Sequence, residues 1–156
     1  MRISKKPLAL AVFVALALLG ALAQPSGAAT FTVNSTADFV DANPGNGVCE
    51  TAPGNGVCTL RAAIQEANAL AGADTIILPA GTYTLGIPGP DEDAAATGDL
   101  DITGDLAITG AGAATTIVDG GGLDRVFEIH GATVQISGVT IRNGFATSGT
   151  GLGIAI

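Results

Sequence analysis

The chain has 156 residues, room for one domain with a modest core. Glycine is abundant (23 residues), aromatics are scarce (five Phe, one Tyr, no Trp) and the formal net charge is −8. That acidity argues against nucleic acid and anionic membranes as partners, and the small, aliphatic composition favours short strands and turns over a helix bundle.

Arg2, Lys5 and Lys6 precede an apolar run from Leu8 to Leu22. Ala21-Leu22-Ala23 then supplies the small-x-small pattern of a signal-peptidase site. Residues 1–23 are therefore expected to be an export leader, with an alternative cut near Ala28 or Ala29. The run is short for a stable span, so no membrane span is expected after cleavage. Without the leader, Arg61, Arg125 and Arg142 face all 14 acids, a net charge of −11. The expected location is extracellular or at the cell surface, an oxidising space for cysteines.

The mature fold opens with the strand-like FTVNST (31–36), followed by a polar loop over 37–53. Asp41, Asn43 and Asn46 are oxygen ligands in kind. Counted from Asp41, however, the sixth and twelfth positions are Asn46 and Ala52, where a helix-loop-helix calcium site needs Gly and an acid. A turn on Pro44-Gly45-Asn46-Gly47 is the better reading. The hexapeptide PGNGVC occurs twice, ending in Cys49 and Cys58, the only cysteines. A zinc site needs four ligands and the lone His130 is far along the chain; a catalytic redox pair has two intervening residues, not eight. A disulfide closing a small loop is expected.

The spacing of Leu60, Ala63, Ile64, Ala67, Leu70 and Ala71 predicts an amphipathic helix over 59–71, with Thr59 as N-cap and Gly72 as the stop. Arg61, Gln65 and Glu66 fall off the stripe and are expected to solvate it. Beyond Asp74 the period becomes two. Short strands are predicted at 75–78, 82–85, 99–103, 106–109, 115–118, 126–129, 133–136 and 139–142, with glycine-containing turns between most of them. Leu106-Ala-Ile-Thr-Gly110 resembles Val134-Gln-Ile-Ser-Gly138, with a weaker echo in Leu100-Asp-Ile-Thr-Gly104. Such recurrence suggests a solenoid of stacked coils; a sandwich of hairpins is the rival.

Cys58-Thr-Leu-Arg-Ala-Ala63, continued by Ile64-Gln-Glu-Ala-Asn68, resembles the CSLREA motif of exported bacterial proteins with pectin-lyase-like, right-handed parallel β-helices. FTVNSTAD, ADTIILPAGTYTL and TTIVDGGGLDRVFEIHGATVQISGVTIRNG resemble the same family, so the likeness spans about residues 30–144. It implies a mainly β chain: a cap over 30–74, with Cys58, Leu60, Arg61, Ala63, Ile64 and Asn68 as motif residues, and a short right-handed parallel β-helix over 75–144. The helix would cover the first coil. The tail, 145–156, does not read as a terminal cap, which suggests a truncated product or self-association through the C-terminal end. The family's Glu falls on Ala62, where a capping-box acid would reach back to Thr59, so Ala62→Glu is expected to stabilise the helix.

Chemistry in such a fold would be lysis or hydrolysis of acidic polysaccharides. The acids are present: Asp91, Glu92 and Asp93 in one loop, and Asp99, Asp101 and Asp105 nearby. Asp99 and Asp101 are the candidate catalytic pair, and Asp91, Asp93 and Asp99 the candidate calcium ligands. A partnered base is missing, because His130 reads as a surface turn residue and both later arginines lie in coil-and-turn patterns. The expected function is a non-catalytic module, without a required cofactor, that binds a glycan or a protein partner or serves a structural role. A lyase- or hydrolase-like enzyme with an acidic, calcium-assisted site is the alternative.

Overall fold

A computed structural model describes residues 27–89, 92–145 and 154–155. The expected leader, Asp91 and most of the tail lie outside these residues. The described chain is mainly β, with one helix: β1 (Thr30–Thr32), α1 (Leu60–Ala69), β2 (Asp74–Leu78), β3 (Gly81–Thr84), β4 (Leu100–Ile102), β5 (Leu106–Gly110), β6 (Thr116–Asp119), β7 (Phe127–Ile129), β8 (Val134–Ser137), β9 (Thr140–Arg142) and β10 (Ile154–Ala155).

The strands form three sheets, ordered β1-β2-β5-β8, β3-β6-β9 and β4-β7-β10. Every pairing among them is parallel, which a sandwich of hairpins does not produce. From β2 onward the chain visits the three sheets in rotation, so each strand pairs with one about 23 to 35 residues away rather than with its neighbour in sequence. Side chains at matched positions therefore stack. Ile76 faces Ile108 and Ile108 faces Ile136 in the first sheet, and Leu100 faces Phe127 in the third. Ile76, Ile108, Leu100 and Phe127 have no exposed surface. Each such side chain contributes roughly 1.5–3 kcal/mol of burial. In β8 and β9, Val134, Ile136 and Ile141 are only half-buried.

The repeat LAITG/VQISG coincides with the β5–β8 register, Leu106 opposite Val134. Its glycines are required: a Cβ on Gly110 would lie 2.2 Å from the Gly138 carbonyl oxygen. The weaker echo, residues 100–104, belongs to a different sheet, where Leu100 stacks on Phe127.

Helix α1 starts as expected. Thr59 is extended and its hydroxyl accepts from the Ala62 amide. The apolar stripe packs against β2 and β4. Two expectations fail here. Arg61 and Glu66 have no exposed surface and Gln65 is buried too, so these residues do not solvate the helix. Ala62 is likewise fully buried, and a glutamate there would force a carboxylate into packed surroundings. The physical reason is that the polar side of the helix is covered by the turn at 44–47 and by the loop over 92–98.

Each polar residue has its own acceptor or donor. The Arg61 guanidinium donates to the carbonyls of Ala95, Thr97, Gly98 and Asp99, and its Nε lies 2.7 Å from Asp38 Oδ1. Asp38 Oδ2 in turn accepts from the Gly86 and Ile87 amides. Asn68 closes the free edge of β4, donating to the Asp101 carbonyl and accepting from the Thr103 amide. Glu66 accepts from the Gly45 amide at 2.6 Å and from the Gly47 amide. Both glycines have positive φ, at 92° and 84°.

Cys49 and Cys58 are joined, with Cα atoms 5.1 Å apart. The doubled hexapeptide has doubled geometry. Asn46 accepts from the Val48 amide and Asn55 from the Val57 amide. The first glycine of each copy donates to a glutamate: Gly45 to Glu66 and Gly54 to Glu50.

Arg61→Lys keeps the charge and loses the planar fork, leaving buried carbonyls without donors. It is expected to cost about 2–4 kcal/mol, read as a lower urea midpoint at unchanged slope. Changing both cysteines to serine is expected to cost on the order of 2–3 kcal/mol in the same assay.

Candidate functional site: an acidic face on the third sheet

Alternation along β4 and β7 points Leu100, Ile102 and Phe127 inward and places Asp99, Asp101, Glu128 and His130 on the opposite side. Register puts Asp101 beside Glu128. The acids of β4 are nonetheless buried, Asp99 at 2% exposure and Asp101 at 0%, because residues 92–98 fold over them. That loop is tied internally by Glu92, whose carboxylate accepts from the Ala94, Ala96 and Thr97 amides. Ala95, in the left-handed region at φ 52°, donates its amide to Asp101 Oδ2 at 2.9 Å. A non-glycine residue holds that conformation only when its surroundings impose it.

The sequence-predicted pair, Asp99 and Asp101, is brought to one face together with three residues not expected there. Arg125 Nε lies 3.0 Å from Asp99 Oδ2, and its Nη2 contacts Glu128. His130 Nε2 lies 3.1 Å from Asp101 Oδ1 and 3.9 Å from the exposed Asp93. His130 does follow a strand, but it is held by a buried carboxylate, so the reading as a plain surface turn residue is incomplete. The register Leu100 opposite Phe127 would have pointed to Glu128. It was not readable, because the two segments share no sequence motif.

Burial pushes the Asp99 carboxyl up to about 6, against the pull of Arg125. Burial also raises Asp101, opposed by the Ala95 amide and His130. The hydrogen bond that the His130 ring donates to Asp101, and then the charge of Asp101, raise His130.

Two sets of side chains lie close enough to share a cation. They are Asp93, Asp101 and His130, and Asp99, Asp101 and Glu128, with ligand atoms within 4.8 Å of one another in each. The expected trio of Asp91, Asp93 and Asp99 is not tested, because Asp91 lies outside the described residues. Calcium takes six to eight oxygens. In the second set the Arg125 guanidinium already contacts two of the three carboxylates, and a cation would compete with it. The first set contains one imidazole nitrogen and one exposed acid, a poor match to an all-oxygen shell.

No protein-family model, curated protein or solved structure matches this chain. No helix among the described residues is long and apolar enough to cross a membrane.

The pH dependence follows from the shifted groups. A carboxyl raised above its ordinary 3.8 favours the fold most when protonated, so its contribution falls as pH rises from about 4 to about 6. A raised histidine stabilises below its ordinary 6.5, and that contribution is lost as pH climbs through the folded value. Both signs agree. Stability is expected to be greater near pH 5 than near pH 7.5 by roughly 1–3 kcal/mol, measured by urea unfolding. Asp99→Asn should flatten the lower part of that slope and His130→Gln the upper part.

Proposed function

We propose that this chain is an exported, right-handed parallel β-helix module that binds a partner without transforming it. The rotation of the chain through three parallel sheets supports the β-helix, and the disulfide and the motif residues Arg61 and Asn68, both engaged in the cap, support the kinship with CSLREA-type modules. A non-catalytic role rests on one observation: the acidic face is closed by its own partners. Arg125 fills the space between Asp99 and Glu128, and His130 is bound to Asp101. A glycosidase keeps such carboxyls free to flank a bond, about 5–10 Å apart.

The charge narrows the partner. Each arginine of the described chain is already paired with an acid: Arg61 with Asp38, Arg125 with Asp99 and Glu128, and Arg142 with Asp119. The surface therefore offers little to a polyanion, and a neutral glycan or a basic protein surface is the better complement.

A second reading has a specific observation behind it. A histidine on a buried carboxylate, beside an acid raised to about 6, is the kind of perturbed cluster that active sites use. A polysaccharide lyase or hydrolase assisted by calcium would use Asp101–His130 as its base.

Glycan-array binding and polysaccharide cleavage, each run with calcium and with a chelator, separate the two. Binding to neutral glycans without cleavage, unchanged in Asp99→Asn and Asp101→Asn proteins that remain folded, is the expected outcome. Cleavage that disappears in either variant would overturn the non-catalytic reading.

A further inference from the structure

The first described residues carry an unusual contact. The Ala29 amide donates to Asp74 Oδ1 at 2.7 Å. Asp74 is 1% exposed, and its second oxygen, Oδ2, has no partner among the described residues. A buried carboxylate held by one neutral amide and orphaned on its other oxygen is costly. We propose that the exported chain is cut between Ala28 and Ala29, and that the α-ammonium created on Ala29 is the counter-charge of Asp74.

The hydrolysis is balanced simply. Water adds to the Ala28 carbonyl, the C–N bond to Ala29 breaks, the leader departs with a new carboxylate, and the amine takes the proton. At neutral pH an α-amine, with an ordinary pKa of roughly 7.7–8.0, is largely charged. It then offers three N–H donors where the uncut chain offers one. One can keep the contact to Oδ1 while another reaches Oδ2, and the charge is neutralised in place. The catalyst is an export-associated endopeptidase that reads small residues one and three positions before the cut, here Ala28 and Ser26.

Geometry separates this cut from its neighbours. Cleavage after Ala23 leaves residue 29 an ordinary amide and leaves Oδ2 orphaned. Cleavage after Ala29 removes the donor to Asp74 together with the Ala29 carbonyl that accepts from the Thr75 amide at 2.9 Å. Only the cut after Ala28 keeps both contacts and adds donors. Gly27 and Ala28 are exposed and β1 starts at Thr30, so the residues lost contribute no strand.

The chain is well suited to a test. Its only lysines are Lys5 and Lys6, both inside the leader, so after cleavage the α-amine is the protein's single amine. The full chain is exported from a bacterial host, and the product is read by intact mass and N-terminal sequencing. An acetylating reagent then reports on the amine, in native buffer and in denaturant. The expected product begins at Ala29 and is acetylated at least about tenfold more slowly when folded than when unfolded. Asp74→Asn should raise the native rate toward the unfolded one. A product with another first residue, a native amine as reactive as the unfolded one, or a native rate unchanged in a folded Asp74→Asn protein would each overturn the proposal. If that variant does not fold, the native-against-denatured comparison on the unmodified chain still decides.

Discussion

The buried ion pair between Arg61 and Asp38 joins α1 to the loop between β3 and β4. Two charges taken out of water are stable only when their remaining hydrogen-bonding capacity is filled. Here the filling comes from the loop between β3 and β4. Asp38 takes the Gly86 and Ile87 amides at the loop's start, and Arg61 takes carbonyls from Ala95 to Asp99 at its end. One pair thus fixes both ends of a loop that has no strand or helix among its described residues. Ala95 is consequently positioned to bind Asp101, and the acidic face of the third sheet is covered rather than open. Lysine could supply the charge at position 61 but not donors spread over four carbonyls.

The same economy governs the other side of the helix. Glu66 is a buried carboxylate without a cationic partner, and burial raises its pKa. What holds it is a turn whose glycines, at positive φ, aim successive amides at its oxygens. That turn is the first copy of PGNGVC. The second copy builds the same shape around Glu50, and the disulfide ties the ends of the two copies together. The repeat is thus a repeated carboxylate-binding turn, and the disulfide holds its two copies together just before α1.

These arrangements mark the boundary of what could be read from the residues. The strands were legible because period-two alternation and punctuating glycines are local signals, and the β5–β8 pairing was legible because both members carry the same five-residue pattern. The helix and its Thr59 cap were legible for the same reason. The burial of Arg61, Gln65 and Glu66 was not. A helical wheel shows which side faces one neighbour, and it is silent about a second neighbour arriving from the far side. The loop that covers them, rich in Gly, Pro and acids, reads as solvated, and its contacts with Arg61 span 34 to 38 residues. The echo at 100–104 misled in the opposite way, since a short pattern of alternating aliphatics fits any of the three sheets.

Charge links the cap, the sheets and the proposed role. An acidic chain could carry its arginines as surface hooks for anionic ligands. This one places them inside its own carboxylates: Arg61 on α1, Arg125 beside Asp99, and Arg142 beside Asp119 at the end of β6. Each arginine has an acidic partner at least 23 residues away, so the cations tie distant segments together. Most of the unpaired negative charge is left outside, where it repels polyanions, and the buried Glu66 is held by backbone amides. Asp74 is the exception, a buried carboxylate at the start of β2 with no arginine near enough to pair with it in the described structure. Beyond residue 28 the sequence has three arginines and no lysine, so the proposed cut would add one further cation, the amine of Ala29, which the approach to β1 brings to Asp74.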